Sequence, residues 1–189
     1  MAVYDQIWSE AVYRSSPHAD NRPDGEVIRL LVIHGISLPA GEFGGDAIDH
    51  LFMGTLTVQA YPELASLVGI KVSSHLLIRR TGEVLQYVPF NLRAWHAGNS
   101  YWRGRYRCND FSLGIELEGC DERPYEPIQY RQLERIIRFL HPMYPELREI
   151  VGHSDIAPGR KTDPGPAFTW DTLELPGDWL CCHAQGDGL

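Results

Sequence analysis

The chain of 189 residues has no C-x-x-C spacing: its four cysteines are Cys108, Cys120 and the adjacent Cys181 and Cys182. Neither a disulfide framework nor a cysteine zinc site is therefore indicated, and Cys108 and Cys120 are expected to be small, partly buried thiols. Basic charge is in deficit, with 17 Lys and Arg against 25 Asp and Glu and a formal net charge of -8. Phosphate binding needs clustered cations, so this balance excludes a nucleic-acid partner as the main expectation. No apolar run is long enough to cross a bilayer. The first ten residues, Met1 to Glu10, lack the basic start and apolar stretch of a secretory signal. A cytoplasmic setting with no membrane partner is expected, and no internal repeat or low-complexity segment is present.

What remains is an ordinary globular composition, 43% hydrophobic and 22% charged, which suits one domain over residues 1–189 with its core in about 25–170. Val27 to His34 is a nearly continuous β-branched apolar run stopped by Gly35, which predicts a strand buried on both faces and ending at His34. Asp46 to Phe52 and Pro62 to Val68 are candidate short helices. Ser74 to Arg79 and Val84 to Val88, joined by Arg80-Thr81-Gly82-Glu83, predict a hairpin. Phe111 to Leu117 alternates at the strand period, placing Ser112, Gly114 and Glu116 on the face away from its aliphatic side. Pro127 to Leu140 predicts a helix through Leu133, Ile136, Ile137 and Leu140, with Pro142 just past its end. A further helix is expected after Phe168, carrying Trp170 and Leu173. The pattern is an α/β fold, a single domain with a central mixed β-sheet flanked by helices.

The stretch from Gly152 to Gly165 packs an imidazole, an ammonium and a carboxylate between prolines and glycines that forbid a continuous helix or strand. An ordinary solvated turn is the alternative; a loop held in shape by a bound cation is the functional expectation. His153 and Asp163 in this loop, with His34 at the end of the buried strand, make a sufficient inner shell for Zn2+, which in catalytic sites takes three protein ligands and leaves one position open. His50, His75, His96 and His141 compete for the same roles on spacing alone. A hydrolase needs a carboxylate to move a proton, for which Glu116 is the candidate because a charge on an apolar strand requires a reason. It also needs a cation for the tetrahedral oxyanion, and Lys161 lies two residues before Asp163. Trp95, His96 and Gly98 form an aromatic and small-residue patch suited to stacking on a sugar or peptide plane, or to the core. The basic run Arg103-Gly104-Arg105-Tyr106-Arg107 suits either a solvated loop or a clamp for ligand carboxylates.

Seven ordered segments carry a family resemblance: Val32-Ile33-His34 with Ile36-Ser37-Leu38-Pro39, Gly41 to Gly45, Ser74 to Arg80, Trp95 to Gly98, Cys108 to Phe111, Gly114 to Gly119, and Gly152 to Gly165. Together they resemble the zinc-dependent N-acetylmuramoyl-L-alanine amidases, specifically the cytoplasmic enzymes of cell-wall recycling. The resemblance implies a peptidoglycan-recognition/amidase-like fold, with His34, His153 and Asp163 as zinc ligands, Glu116 as acid/base and Lys161 as transition-state stabiliser. It implies a small-molecule muropeptide substrate, cut between the lactyl carbonyl of 1,6-anhydro-N-acetylmuramic acid and L-alanine. Arg107 would hold a stem-peptide carboxylate, and Trp95 is the candidate stacking residue. A phage endolysin acting on intact peptidoglycan and a non-catalytic binding module are the alternatives. Two positions depart from the pattern: Gly35 stands where relatives often carry Asn, and Asp46 where related phage enzymes use Tyr.

Overall fold

The structure is a computed structural model that describes residues 6–183. In chain order it comprises strands β1 (Val12–Tyr13), β2 (Ala19–Asn21) and β3 (Leu30–Ile36), helix α1 (Ala47–Phe52), and strands β4 (Leu76–Ile78), β5 (Val84–Gln86) and β6 (Leu92–Ala94). Strands β7 (Tyr101–Trp102), β8 (Arg105–Tyr106) and β9 (Ser112–Glu118) lead to helix α2 (Pro127–Met143), strand β10 (Glu149–Gly152), helix α3 (His153–Ile156) and strand β11 (Leu180–Cys181). Seven strands form one mixed sheet in the order β1-β5-β4-β9-β3-β10-β11, in which β4 and β5 pair antiparallel and every other pair is parallel.

The predicted elements are present, with shifted bounds. The first buried strand runs through Gly35 to Ile36, so His34 lies inside it. A glycine interrupts a strand where another group must come close, and here a Cβ on Gly35 would lie 2.2 Å from the Tyr125 hydroxyl. The expected helix Pro62 to Val68 is a 3-10 stretch, Pro62–Leu67, and the helix expected after Phe168 shrinks to the 3-10 turn Trp170–Thr172. Helix α2 continues through Pro142 to Met143 and closes with the Tyr144 N–H on the Leu140 carbonyl at 3.0 Å.

Two faces of the sheet are covered differently. On one, Leu31, Ile33, Leu113 and Ile115 pack against Leu133, Ile136, Ile137 and Leu140 of α2; these four helix side chains are fully buried, and each contributes about 1.5 to 3 kcal/mol of transfer free energy. Gln129 anchors the helix by donating to the carbonyls of Ile78 and Glu118, both at 3.1 Å. On the other face, Leu77 and Leu85 pack against Ile48, Leu51 and Phe52 of α1, and Leu30, Val32 and Val151 pack against Ala97, Cys108 and Phe111. His34 and Glu116 follow Val32 and Gly114 at the strand period, so both stand on this second face. No helix among the described residues is long and apolar enough to cross a membrane.

Candidate active site

The parallel pairing of β3 with β9 sets His34 directly opposite Glu116. On the other side, β10 brings Gly152 opposite Ile33, so the next residue, His153, opens α3 at the level of His34. The three side chains thus meet at the carboxyl ends of parallel strands, the usual position for a site in such sheets. Asp163 arrives from the loop after α3. That loop is shaped by its own hydrogen bonds: Gly152 N–H to Asp155 Oδ2 (2.6 Å), Ser154 N–H to the Asp163 carbonyl (3.0 Å) and Lys161 N–H to the Ala157 carbonyl (3.1 Å). The Tyr125 hydroxyl adds a bond to the Pro164 carbonyl at 2.8 Å. The loop also contains one helical turn, His153–Ile156, that its prolines and glycines conceal.

His34 Nδ1, His153 Nδ1 and Asp163 Oδ2 form a triangle with edges of 3.0, 3.1 and 3.1 Å. These are the donor atoms of a set able to hold a metal ion. Tetrahedral coordination at about 2.0 Å separates ligand atoms by about 3.3 Å, so the triangle fits such an ion within a few tenths of an ångström. Burial pushes the His34 imidazole down to about 4, with His153 acting in the same direction. Burial pulls the Asp163 carboxyl upward, but the neighbouring His153 and His34 imidazoles hold it below the ordinary carboxylate range. Two imidazoles and one carboxylate converge, a combination suited to a divalent cation. His153 Nε2 lies 3.2 Å from the Ala97 carbonyl, an acceptor for the Nε2–H of the tautomer that leaves Nδ1 bare. His34 Nε2 lies 2.9 Å from His96 Nδ1.

Glu116 is buried, and the Oε2 atom has no hydrogen-bond partner. Glu116 therefore does not lie on a solvated face of the sheet. Burial raises the Glu116 carboxyl well above the ordinary range; the Asp163 carboxylate adds to the rise and the Lys161 ammonium opposes it. A carboxyl held in this way is suited to accepting and returning a proton.

Glu116, Lys161, Trp95 and the three donor residues line one cavity of about 310 Å³, walled by Leu51 and Phe52 of α1 and by Leu67 and Ile70. Trp95 is half-buried, stacks on His18 at 6.0 Å and donates Nε1–H to Asp20 at 3.1 Å. Arg107 is not among the residues lining this cavity: its side chain is 71% exposed and pairs with Asp110 at 3.3 Å. Sequence inspection missed three supports. Asn109 Oδ1 accepts the N–H groups of His96 and Ala97 at 3.2 and 2.8 Å. Arg160 donates to the carbonyls of Ala97 and Asn99, both at 2.8 Å, and so pins the segment carrying Lys161. Tyr125 is the third. None belongs to a spacing pattern, and only the adjacency of Arg160 to Lys161 offered a clue.

A buried carboxyl beside three convergent donor atoms at the ends of parallel strands has the make-up of a hydrolase site, and its family follows from comparison. Residues 24–166 match the Amidase_2 family model, N-acetylmuramoyl-L-alanine amidase, and the chain belongs to that family. The 1,6-anhydro-N-acetylmuramyl-L-alanine amidase AmpD of Escherichia coli K12 is 59% identical over 170 residues, covering 89% of this chain and 93% of AmpD. A crystal structure of a selenomethionine derivative of AmpD superposes with a TM-score of 0.86 at 53% identity, covering 90% of this chain and 96% of that one. The amidase AmiD of E. coli, solved in complex with anhydro-N-acetylmuramic acid-L-Ala-D-γ-Glu-L-Lys, superposes with a TM-score of 0.56 at 32% identity, covering 80% of this chain and 58% of AmiD.

Proposed function

We propose that this chain, with its core in about residues 25–170, is a cytoplasmic zinc amidase of peptidoglycan recycling. It hydrolyses the amide between 1,6-anhydro-N-acetylmuramic acid and L-alanine in soluble cell-wall fragments. The observation that carries the proposal is the triangle of His34, His153 and Asp163 donor atoms beside the buried Glu116 carboxyl, whose Oε2 has no hydrogen-bond partner. Similarity to AmpD, whose name states that substrate, supports the choice of bond. Zinc held by His34 Nδ1, His153 Nδ1 and Asp163 Oδ2 would supply Lewis acidity, which acidifies water and polarises a carbonyl.

The remaining work falls to the protein. Glu116 takes the proton of the attacking water and returns it to the departing L-alanine nitrogen, and its raised affinity for protons makes the second transfer feasible at neutral pH. Lys161, on the cavity wall, stabilises the oxyanion of the tetrahedral intermediate. Trp95 offers a ring face in the cavity for the sugar or a peptide plane. Arg107, whose guanidinium is exposed, would exchange Asp110 for a stem-peptide carboxylate. Chelator-treated protein should lose cleavage of soluble anhydromuropeptide and regain it with zinc. Faster turnover of intact sacculi than of the soluble fragment would instead mark an endolysin, and binding without turnover a recognition module.

A further inference from the structure

We infer that His96 is a positioning residue for His34, accepting the His34 Nε2–H on Nδ1 and thereby turning the bare His34 Nδ1 toward His153 and Asp163. The inference rests on the metal-ligand role proposed for His34. The two rings meet edge to face, at 85° with centroids 5.0 Å apart, and His34 Nε2 to His96 Nδ1 is 2.9 Å. At its far side His96 Nε2 lies 3.1 Å from Ser112 Oγ.

Only two proton arrangements fit this chain of neutral rings. In one, His34 Nε2–H donates to His96 Nδ1 and His96 Nε2–H donates to Ser112 Oγ. In the other, both donations reverse, His34 Nδ1 carries the proton, and its lone pair is lost to the donor triangle. Metal binding at His34 Nδ1 selects the first.

The fold has built a socket for this imidazole. A Cβ on Gly114 would lie 2.5 Å from His96 Cγ, so the bare strand position beneath the ring is what admits it. Asn109 Oδ1 fixes the backbone on either side by accepting the N–H groups of His96 and Ala97. Arg22 holds the Asn109 segment in turn, donating to the carbonyls of Asn109, Asp110 and Ser112 at 2.9 Å each. The Ala97 carbonyl faces His153 Nε2 at 3.2 Å. Two consecutive residues therefore orient both imidazoles of the donor set, one through a side chain and one through its backbone. Metal-binding histidines usually pass their second N–H to a carboxylate, carbonyl or water; His34 uses a neutral imidazole, which adds no further negative charge to a buried site.

The test compares full-length wild type with His96→Phe, which keeps a ring but no acceptor, and His96→Asn, whose amide oxygen takes the place of Nδ1. Zinc affinity is measured by competition with a chromophoric chelator, with thermal melts of the zinc-free proteins as the folding control. His96→Phe should bind zinc about 10- to 100-fold more weakly, and His96→Asn should recover most of the loss. Long-range 1H–15N spectra of zinc-loaded wild type should show His96 as the Nε2–H tautomer. Equal affinity in His96→Phe, no recovery in His96→Asn, or a proton on His96 Nδ1 would each overturn the inference. Should His96→Phe fail to fold, the Asn variant and the wild-type spectrum decide. Wild type that takes up no zinc would overturn the metal reading itself, before any variant is compared.

Discussion

Replacing Glu116 with Gln separates proton transfer from every other property of the site. The amide keeps the carboxyl's shape but cannot shuttle a proton, so kcat should fall by about 10²- to 10⁴-fold, or about 3 to 5 kcal/mol of barrier. Zinc content and substrate affinity should stay near wild type. Burial raises the Glu116 carboxyl, which gives a second readout in the zinc-free protein. Near pH 4 the wild-type carboxyl is protonated in both folded and unfolded chains and resembles the amide. As pH rises, the unfolded carboxyl ionises while the folded one keeps its proton. Wild type should therefore lose stability relative to the variant by about 1.4 kcal/mol per pH unit until the raised folded value is passed. Steady-state kinetics on a soluble anhydromuropeptide and melts at pH 4 and pH 7 measure both effects. A variant retaining more than a tenth of wild-type kcat would refute the acid/base role. A stability difference that does not grow with pH would refute the burial argument.

Lys161→Ala should lower kcat by about 10²- to 10³-fold with little change in KM, since the oxyanion exists only in the transition state; a rise in KM at constant kcat would assign Lys161 to ground-state binding. Burial lowers His34 to about 4 and His75 to about 3, so their folded rings refuse protons that unfolded rings accept below about 6.5. In a Glu116→Gln background, which removes the opposing carboxyl titration, zinc-free protein should thus lose about 2 kcal/mol per ring between pH 6.5 and pH 5, and equal urea midpoints at pH 7 and pH 5 in that background would contradict this. Gly35→Ala places a methyl 2.2 Å from the Tyr125 hydroxyl, which must leave the Pro164 carbonyl. A loss of about 1 to 3 kcal/mol is expected. Adding Tyr125→Phe should recover part of it, and strict additivity of the two substitutions would show that the contact is not the cause.

How much of this was readable in advance depends on what each element answers to. The strand through His34 and the helix through Leu133 and Ile137 are set by local apolar periodicity, and both appear where that periodicity places them. Their ends answer to distant partners. Gly35 reads locally as a stop, yet the strand continues because Gly35 and Ile36 pair with Leu117 and Glu118 of β9, while the missing side chain leaves room for Tyr125, ninety residues later. The single turn at His153 is stabilised by the Asp155 side chain reaching back to the Gly152 N–H, a bond that proline and glycine content does not reveal. Among the site residues, chemistry pointed to His34, His153, Asp163, Glu116 and Lys161, and all five line one cavity. His96 stood only as a competing ligand or part of a stacking patch, because nothing in Trp95-His96-Ala97-Gly98 indicates that its ring meets His34.

On the proposed function, His34, His153 and Asp163 together hold one catalytic zinc ion. Metal analysis joined to activity on a soluble anhydromuropeptide tests it most directly. One zinc per chain is predicted, lost on chelation together with amide cleavage and restored with it, and removed by His34→Ala, His153→Ala or Asp163→Ala. Full amide cleavage by protein verified to be metal-free would contradict the claim.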